Sequence, residues 1–182
     1  MCNVFTRHLV LVVVRLDDDL TFTTFVDEHG TALLGYARLL FGDAHEAEDA
    51  LQAALLRVVR NWEKASASPV GYTRTALRNL AIDGSRRRHL VAIPSDQQPQ
   101  LIHSPDVADA HEAAAALDAV LSRLPPRQRV TVVLRVLDGM TETETAAALG
   151  CSVGTVKSNL SRGLAALRDD LNRERAHEGS AR

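Results

Sequence analysis

Between residues 141 and 171 the chain reads TETETAAALGCSVGTVKSNLSRGLAALRDDL, and no other stretch narrows the possible folds as much. Thr141 and Glu144 have the T-x-x-E spacing of a capping box, in which hydroxyl and carboxylate each satisfy a backbone N–H that a helix start leaves unpaired. The spacing predicts a short helix carrying Ala146, Ala147 and Leu149. Gly150 ends it, since glycine readily takes the left-handed conformation that closes a helix. Ser152 can cap a second helix, along which Val153, Val156, Leu160, Leu164, Leu167 and Leu171 recur at steps of three and four and form one apolar stripe. Away from that stripe lie Gly154, Thr155, Lys157, Ser158, Ser161 and Arg162, all small, hydroxyl-bearing or cationic. No acid occurs between Ser152 and Arg168. A short helix, a tight turn and a longer helix with such a face form a helix-turn-helix, whose second helix suits phosphates and base edges. Any hairpin of a helical bundle has capped ends and an apolar stripe. The missing acids favour DNA, because an ordinary solvated face mixes both signs.

The chain of 182 residues has a net charge of −2, so no global field draws it to nucleic acid and binding must use local patches. Arg57, Arg60, Lys64, Arg74, Arg78 and Arg86 to Arg88 supply one. Asp43, Glu46, Glu48 and Asp49 gather just before it, and two faces of opposite sign predict two partners. Cys2 and Cys151 are too few for a disulfide framework, so a reducing cytoplasm is expected. His45-Glu46 and His111-Glu112 lack a second histidine at zinc-helix spacing, and no metal or other cofactor is expected. The apolar run at 9–14 is too short to span a bilayer and has no small-residue cleavage site. No nucleophile with its base, no phosphate-cradling glycine loop and no metal-spaced carboxylate pair is legible, so the chain is not expected to be an enzyme.

The periodicities predict an all-α fold: two small helical domains joined by a flexible linker. Residues 1–20 show no helical period and are expected to be a disordered extension. The first domain spans 21–89. Phe22, Phe25, Val26, His29, Leu33, Tyr36, Ala37 and Leu40 share one face of a helix that Gly42 closes. Asp43 and Glu46 cap the next, DAHEAEDALQAALLRVVRNW, which buries Leu51, Leu55, Val58 and Trp62. Its other side offers Asp49, Gln52 and Leu56 as a protein-contact patch. Pro69 opens a third helix, with Arg74 and Arg78 one turn apart on a side distinct from Val70, Leu77, Leu80 and Ala81. Arg86 to Arg88 continue that cationic surface near Trp62 and Tyr72, combining charge with stacking rings as single-stranded nucleic acid requires. Residues 90–110, with Pro94, Pro99 and Pro105, form the linker. The second domain, 111–172, has Leu117, Val120, Leu121 and Leu124 in one helix, a break at Pro125-Pro126, then Val130, Val133, Leu134 and Leu137 before the capped hairpin. The polar tail 173–182 is expected to be disordered.

GDAHEAEDALQ, YTRTALRNLAIDGSRRR and LPPRQRVTVVLRVLDGMTETETAAALGCSVGTVKSNLSRGLAALR, in that order around a Pro-containing linker, resemble the extracytoplasmic-function sigma factors of bacterial RNA polymerase, which have only regions two and four. The likeness runs from about residue 22 to about 171, and its last part is similar to the sigma-E-like group of actinobacteria. It implies a chain that joins the polymerase core, directs it to promoters and helps melt them in the cytoplasm. It assigns Asp49, Gln52 and Leu56 to the clamp helices of the largest subunit, and makes the flap of the second-largest subunit a further partner. Trp62, Tyr72, Arg74, Arg78, Asn79, Arg86, Arg87 and Arg88 are implied to meet the melted non-template strand of the minus-ten element. Ser152, Gly154, Thr155, Lys157, Ser158, Ser161 and Arg162 are implied to meet duplex promoter DNA at the minus-thirty-five element. An anti-sigma factor is a further expected partner. Asn159 stands where many relatives have Arg, and Gly163 where Ala is common, so the promoter sequence does not carry over. The alternative is a stand-alone helix-turn-helix regulator, which would bind two half-sites as a dimer. No dimer seam is legible, and the cationic, aromatic first domain argues for DNA opening.

Overall fold

Residues 19–90 and 110–180 are described by the computed structural model of the chain, and every regular element among them is helical. The helices are α1 (Asp19–Phe41), α2 (Ala44–Arg60), the single turn α3 (Trp62–Ala65), α4 (Pro69–Leu90), α5 (Ala110–Ser122), α6 (Pro126–Val132), α7 (Glu142–Leu149) and α8 (Val153–Ser180), with a π-helical turn, Val133–Leu137, continuing α6. The all-α expectation holds. Most of the predicted extension and nearly all of the linker lie outside the described residues, except that Asp19 and Leu20 already belong to α1.

In the first half, α1, α2 and α4 pack together around Phe22, Leu33, Ala37, Leu40, Leu51, Ala54, Val58 and Leu77. Gly42 turns the chain with φ +70°, and the Asp43 carboxylate accepts from the Glu46 N–H at 2.9 Å to start α2. The second helix was expected to run through Trp62. Instead Asn61 ends it, its side chain donating to the Arg57 carbonyl at 2.9 Å and its N–H to carbonyls of the last turn. The chain thereby redirects Trp62 into an aromatic cluster, edge-on to Phe22 at 5.3 Å and tilted on Phe25 at 5.8 Å between ring centroids.

In the second half, the predicted capping box forms: the Glu144 N–H donates to Thr141 Oγ1 at 3.2 Å and the Thr141 N–H to Glu144 Oε2 at 2.7 Å. Gly150 is left-handed, φ 62° and ψ 43°, and Ser152 Oγ accepts from the Thr155 N–H at 3.1 Å to open α8. The buried seam of α8 differs from the predicted stripe. Val156, Gly163 and Asp170 are buried with Leu160 and Leu167 half-buried, whereas Val153 and Leu164 are exposed. Position 163 sets this phase because α6 crosses there: a Cβ on Gly163 would lie 2.7 Å from Val132 Cγ2. Asp170 is held at the end of the seam by Arg123, at 3.4 Å, and by Arg173.

The helix expected after Pro126 does not continue as α. The Asp138 N–H reaches the Val133 carbonyl at 3.1 Å, five residues back, so the turn holds one residue more than an α-turn. Val133 and Leu134 remain in the core, but Leu137, expected there too, is 42% exposed. The tail expected to be disordered from residue 173 is also corrected, since α8 extends to Ser180. Residues 172–178, NRERAHE, contain neither glycine nor proline and are mostly good helix formers.

The two halves do not sit apart. α1 packs on α5 and α6, and α4 on α6 and α7. Leu121, Leu124, Val130, Val133 and Leu149 join the same apolar cluster as the first half's core. Arg129, 5% exposed, crosses between them: its guanidinium donates to the Leu40 carbonyl at 3.3 Å, to the Phe41 carbonyl and to the Ser122 carbonyl at 3.1 Å. Carbonyls at the end of a helix have no donors in their own helix, and a cation suits them electrostatically.

The Gly163 contact yields a test. Alanine is the better helix former by about 1 kcal/mol, yet overpacking a close crossing costs about 1–3 kcal/mol. Gly163→Ala should therefore lower the thermal midpoint followed by circular dichroism, and adding Val132→Ala should recover part of the loss. A Gly163→Ala protein as stable as the parent would show that the crossing relaxes freely.

Candidate nucleic-acid and protein interface

α4 begins at Pro69 and carries Arg74, Arg78, Arg86 and Arg87 along its length. Arg74 and Arg78, four residues apart, project toward the second half of the molecule. The Arg74 guanidinium lies 4.4 Å from the centroid of the Tyr36 ring and its Nη2 is 3.4 Å from Asp138 Oδ1. Arg78 Nη1 stands 3.8 Å from Asp138 Oδ2. Two turns later Arg86 donates to the Ala147 carbonyl of α7 at 3.1 Å. Arg87 is exposed, donates to the Asp83 carbonyl at 3.4 Å, and borders with Asp49 and Leu80 a groove of about 300 Å³ between α2 and α4. Asn79 is exposed. The Arg88 side chain lies outside the described residues. Tyr72 is 37% exposed and offers a ring, whereas much of Trp62 is taken up by Phe22 and Phe25. On α2, Asp49 and Leu56 are exposed and Gln52 half-buried, three positions of one stripe.

On α8, Ser152, Gly154, Lys157, Ser161 and Arg162 are exposed, and Thr155 and Ser158 half-buried. Ser152 Oγ and Thr155 Oγ1 are 2.9 Å apart and serve the cap. Lys157 Nζ is 3.5 Å from Glu142 Oε2 of α7, so the one lysine of the face is held from its own hairpin. The structure thus gathers the predicted α8 residues into one surface, while drawing the predicted α4 residues into two groups: Arg74, Arg78 and Arg86 on the seam, Arg87 and Asn79 away from it.

Three residues of the seam were not singled out for it from the sequence. Tyr36 was placed in the core face of α1, Asp138 in a turn, and Arg129 nowhere. The Tyr36 hydroxyl donates to Asp138 Oδ2 at 2.7 Å. Burial, and after it the bond to Asp138, push the Tyr36 phenol well above the ordinary tyrosine value. Glu144 is shifted the other way, held below the usual carboxylate range by the backbone and side chain of Thr141. Among the described residues no group of three or more His, Cys, Asp or Glu side chains could hold a metal ion, and no helix is long and apolar enough to cross a membrane.

Residues 25–90, on α1 to α4, match the family described as Sigma-70 region 2, and residues 114–167, on α5 to α8, the family described as Sigma-70, region 4. The RNA polymerase sigma-E factor of Streptomyces coelicolor is 42% identical over 156 residues, 84% of this chain and 86% of that protein. The ECF RNA polymerase sigma factor SigE of Mycolicibacterium smegmatis is 33% identical over 153 residues, 80% of this chain and 60% of that one. This chain belongs to the extracytoplasmic-function sigma factors. The fold of this sigma factor is also similar to that of the sigma factor RpoE in complex with the anti-sigma factor NepR from Bartonella quintana. The TM-score is 0.51 and the identity 26%, over 84% of this chain and 97% of that one. Matches to both regions in one chain support the sigma factor reading over the stand-alone regulator.

Tyr36 makes the seam sensitive to alkali. Its folded value is raised above the unfolded one of about 10, so the stability it lends is fully present below that pH and is lost as pH rises through the folded value. Tyr36→Phe should be less stable at neutral pH by about 1–2 kcal/mol but lose less stability as pH climbs above about 10. Urea titrations across that range measure both slopes, and equal slopes would mean that the phenol ionises freely.

Proposed function

We propose that this sigma factor works in the cytoplasm as the promoter-specificity subunit of RNA polymerase and has no catalytic site of its own. In this role the α2 stripe of Asp49, Gln52 and Leu56 docks on the clamp helices of the largest subunit, and region four meets the flap of the second-largest. α8 enters the major groove of the minus-thirty-five element, with Thr155, Lys157, Ser158, Ser161 and Arg162 toward phosphates and base edges and Ser152 and Gly154 at its entry. Each good bidentate base contact there is worth about 1–3 kcal/mol of discrimination. α4 takes the minus-ten element. Extruding a base costs a few kcal/mol of unstacking, which stacking on an aromatic ring such as Tyr72 and phosphate contacts from Arg74, Arg78 and Arg86 to Arg88 can return. Asn79 sits among these as a base-edge reader. Trp62 braces the turn that carries Tyr72.

The observation that carries this reading is the presence in one chain of matches to both sigma regions, one with a helix that has no acid between Ser152 and Arg168 and the other with an arginine-rich helix. The Bartonella complex makes an anti-sigma protein a candidate partner here as well.

The test is transcription with purified core polymerase. The chain should confer start-site selection that the core lacks, and a chain that binds promoter duplex but leaves initiation by the core unchanged would defeat the proposal. Lys157→Ala should weaken duplex binding across promoters and reduce the salt slope by about one unit; an unchanged slope would take Lys157 off the phosphates. Arg87→Ala should impair opening of duplex templates more than binding to them, and a pre-melted template should restore its activity. Equal loss on both templates would contradict that placement.

A further inference from the structure

The hairpin of region four has two helix starts that differ in charge. The first turn of α7 holds Glu142 and Glu144, whereas the first turn of α8 holds no acid. Glu144 is committed to its own cap, its Oε2 accepting from the Thr141 N–H and from the Thr141 hydroxyl at 2.7 Å each. Glu142 takes no part in that box. Its carboxylate reaches across the hairpin instead, with Oε2 3.5 Å from Lys157 Nζ. Lys157 lies three residues after Gly154 and four before Ser161, so the three form one exposed row along α8. Both partners of the pair are open to solvent, the Lys157 side chain at 63% and that of Glu142 at 35%. The acid that α8 lacks is thus supplied from α7, whose place beside it is set by the Thr141 cap and the left-handed turn at Gly150.

We infer that Glu142 is a positioning residue for Lys157 and an attenuator of duplex binding: it holds the ammonium in the free chain, so that a DNA phosphate gains that contact only by displacing the carboxylate or sharing with it. The inference rests on the placement of α8 against duplex DNA proposed above. An ammonium has three donors and could keep Glu142 while meeting a phosphate, but the two anions would then face one another across it and repel. Displacement leaves Glu142 unpaired beside the phosphates, which costs in the same direction. Either cost falls on a backbone contact, which carries no sequence information, and so falls alike on every duplex. Exposed ion pairs are weak, so the effect is a tuning of affinity and does not close the face. Phosphate contacts supply essentially all of non-specific binding. Weakening one of them shortens the time the chain spends on duplex that offers no promoter.

The test uses the full-length chain and fluorescence anisotropy with two fluorescein-labelled, mixed-sequence duplexes of unrelated sequence. Glu142→Gln should tighten binding to both by about threefold, and the gain should shrink as added salt screens it. In the Lys157→Ala chain the same substitution should lose most of that gain, because the group it acts through is gone. Asp27→Asn, the same charge change at an exposed acid of α1, should give none. The thermal midpoint followed by circular dichroism separates this role from a structural one, since a pair that served stability alone would lower the midpoint on removal and leave affinity unchanged. Unchanged affinity in Glu142→Gln, a gain on one duplex only, an equal gain from Asp27→Asn, or a gain undiminished in the Lys157→Ala chain would each overturn the inference. Lys157→Ala by itself reports on the reading beneath it. If it weakens binding while Glu142→Gln changes nothing, α8 stays on the duplex and the attenuator is lost. If it leaves binding unchanged, the phosphate contact of Lys157 is lost and the attenuator with it.

Discussion

Arg129 is the residue on which the arrangement of the two halves depends. Its guanidinium is buried among the carbonyls of Leu40, Phe41 and Ser122, closing the C-terminal end of α1 from the other half of the molecule. A helix end buried without such a donor would carry unpaired carbonyls, and a buried guanidinium without those carbonyls would be costlier still. Each therefore requires the other. Gly42 makes room, because a Cβ there would overlap the guanidinium and because its φ of +70° suits glycine. The turn joining α1 to α2 is thus shaped for both a local and a remote purpose.

With α1 fixed against α5 and α6, the rest of the seam follows. Apolar residues of both halves close over one another, and the polar margin brings Asp138 to Tyr36, Arg74 and Arg78. α8 remains on the outside, with Lys157 restrained by Glu142 and the Ser152 and Thr155 hydroxyls engaged in its cap. α8 thus presents its outer face to solvent, whereas Arg74, Arg78 and Arg86 of α4 are engaged at the seam.

What could be read from the sequence was what a single turn of chain decides. The T-x-x-E box, the Gly150 stop, the Ser152 cap and the Asp43 start depend on residues at most four positions apart, and each stands where its spacing puts it. The apolar faces of α1 and α2 were legible for the same reason. The seam was not: Tyr36 and Asp138 are 102 residues apart and Arg74 and Asp138 are 64, and no periodicity connects them. Asp138-Gly139 has the look of an ordinary turn, and the turn does occur; only the partners of its carboxylate were hidden. Gly163 was noticed as a departure from the family pattern, but its reason lies in Val132 on another helix. The predicted stripe failed there because apolar character favoured Leu164, whereas the crossing of α6 requires the smaller neighbour.

The π turn at Val133–Leu137 has an evolutionary consequence. Removing one codon from that segment would let the backbone settle into ordinary α geometry, and each residue of an α-helix advances the side-chain direction by about 100°. Because a π turn is an α-turn with one residue added, the residues on either side would keep their directions, and Asp138 would still face Tyr36 and the arginines. The extra residue therefore marks a place where the length of this segment can change by one while the contacts between the two halves stay as they are.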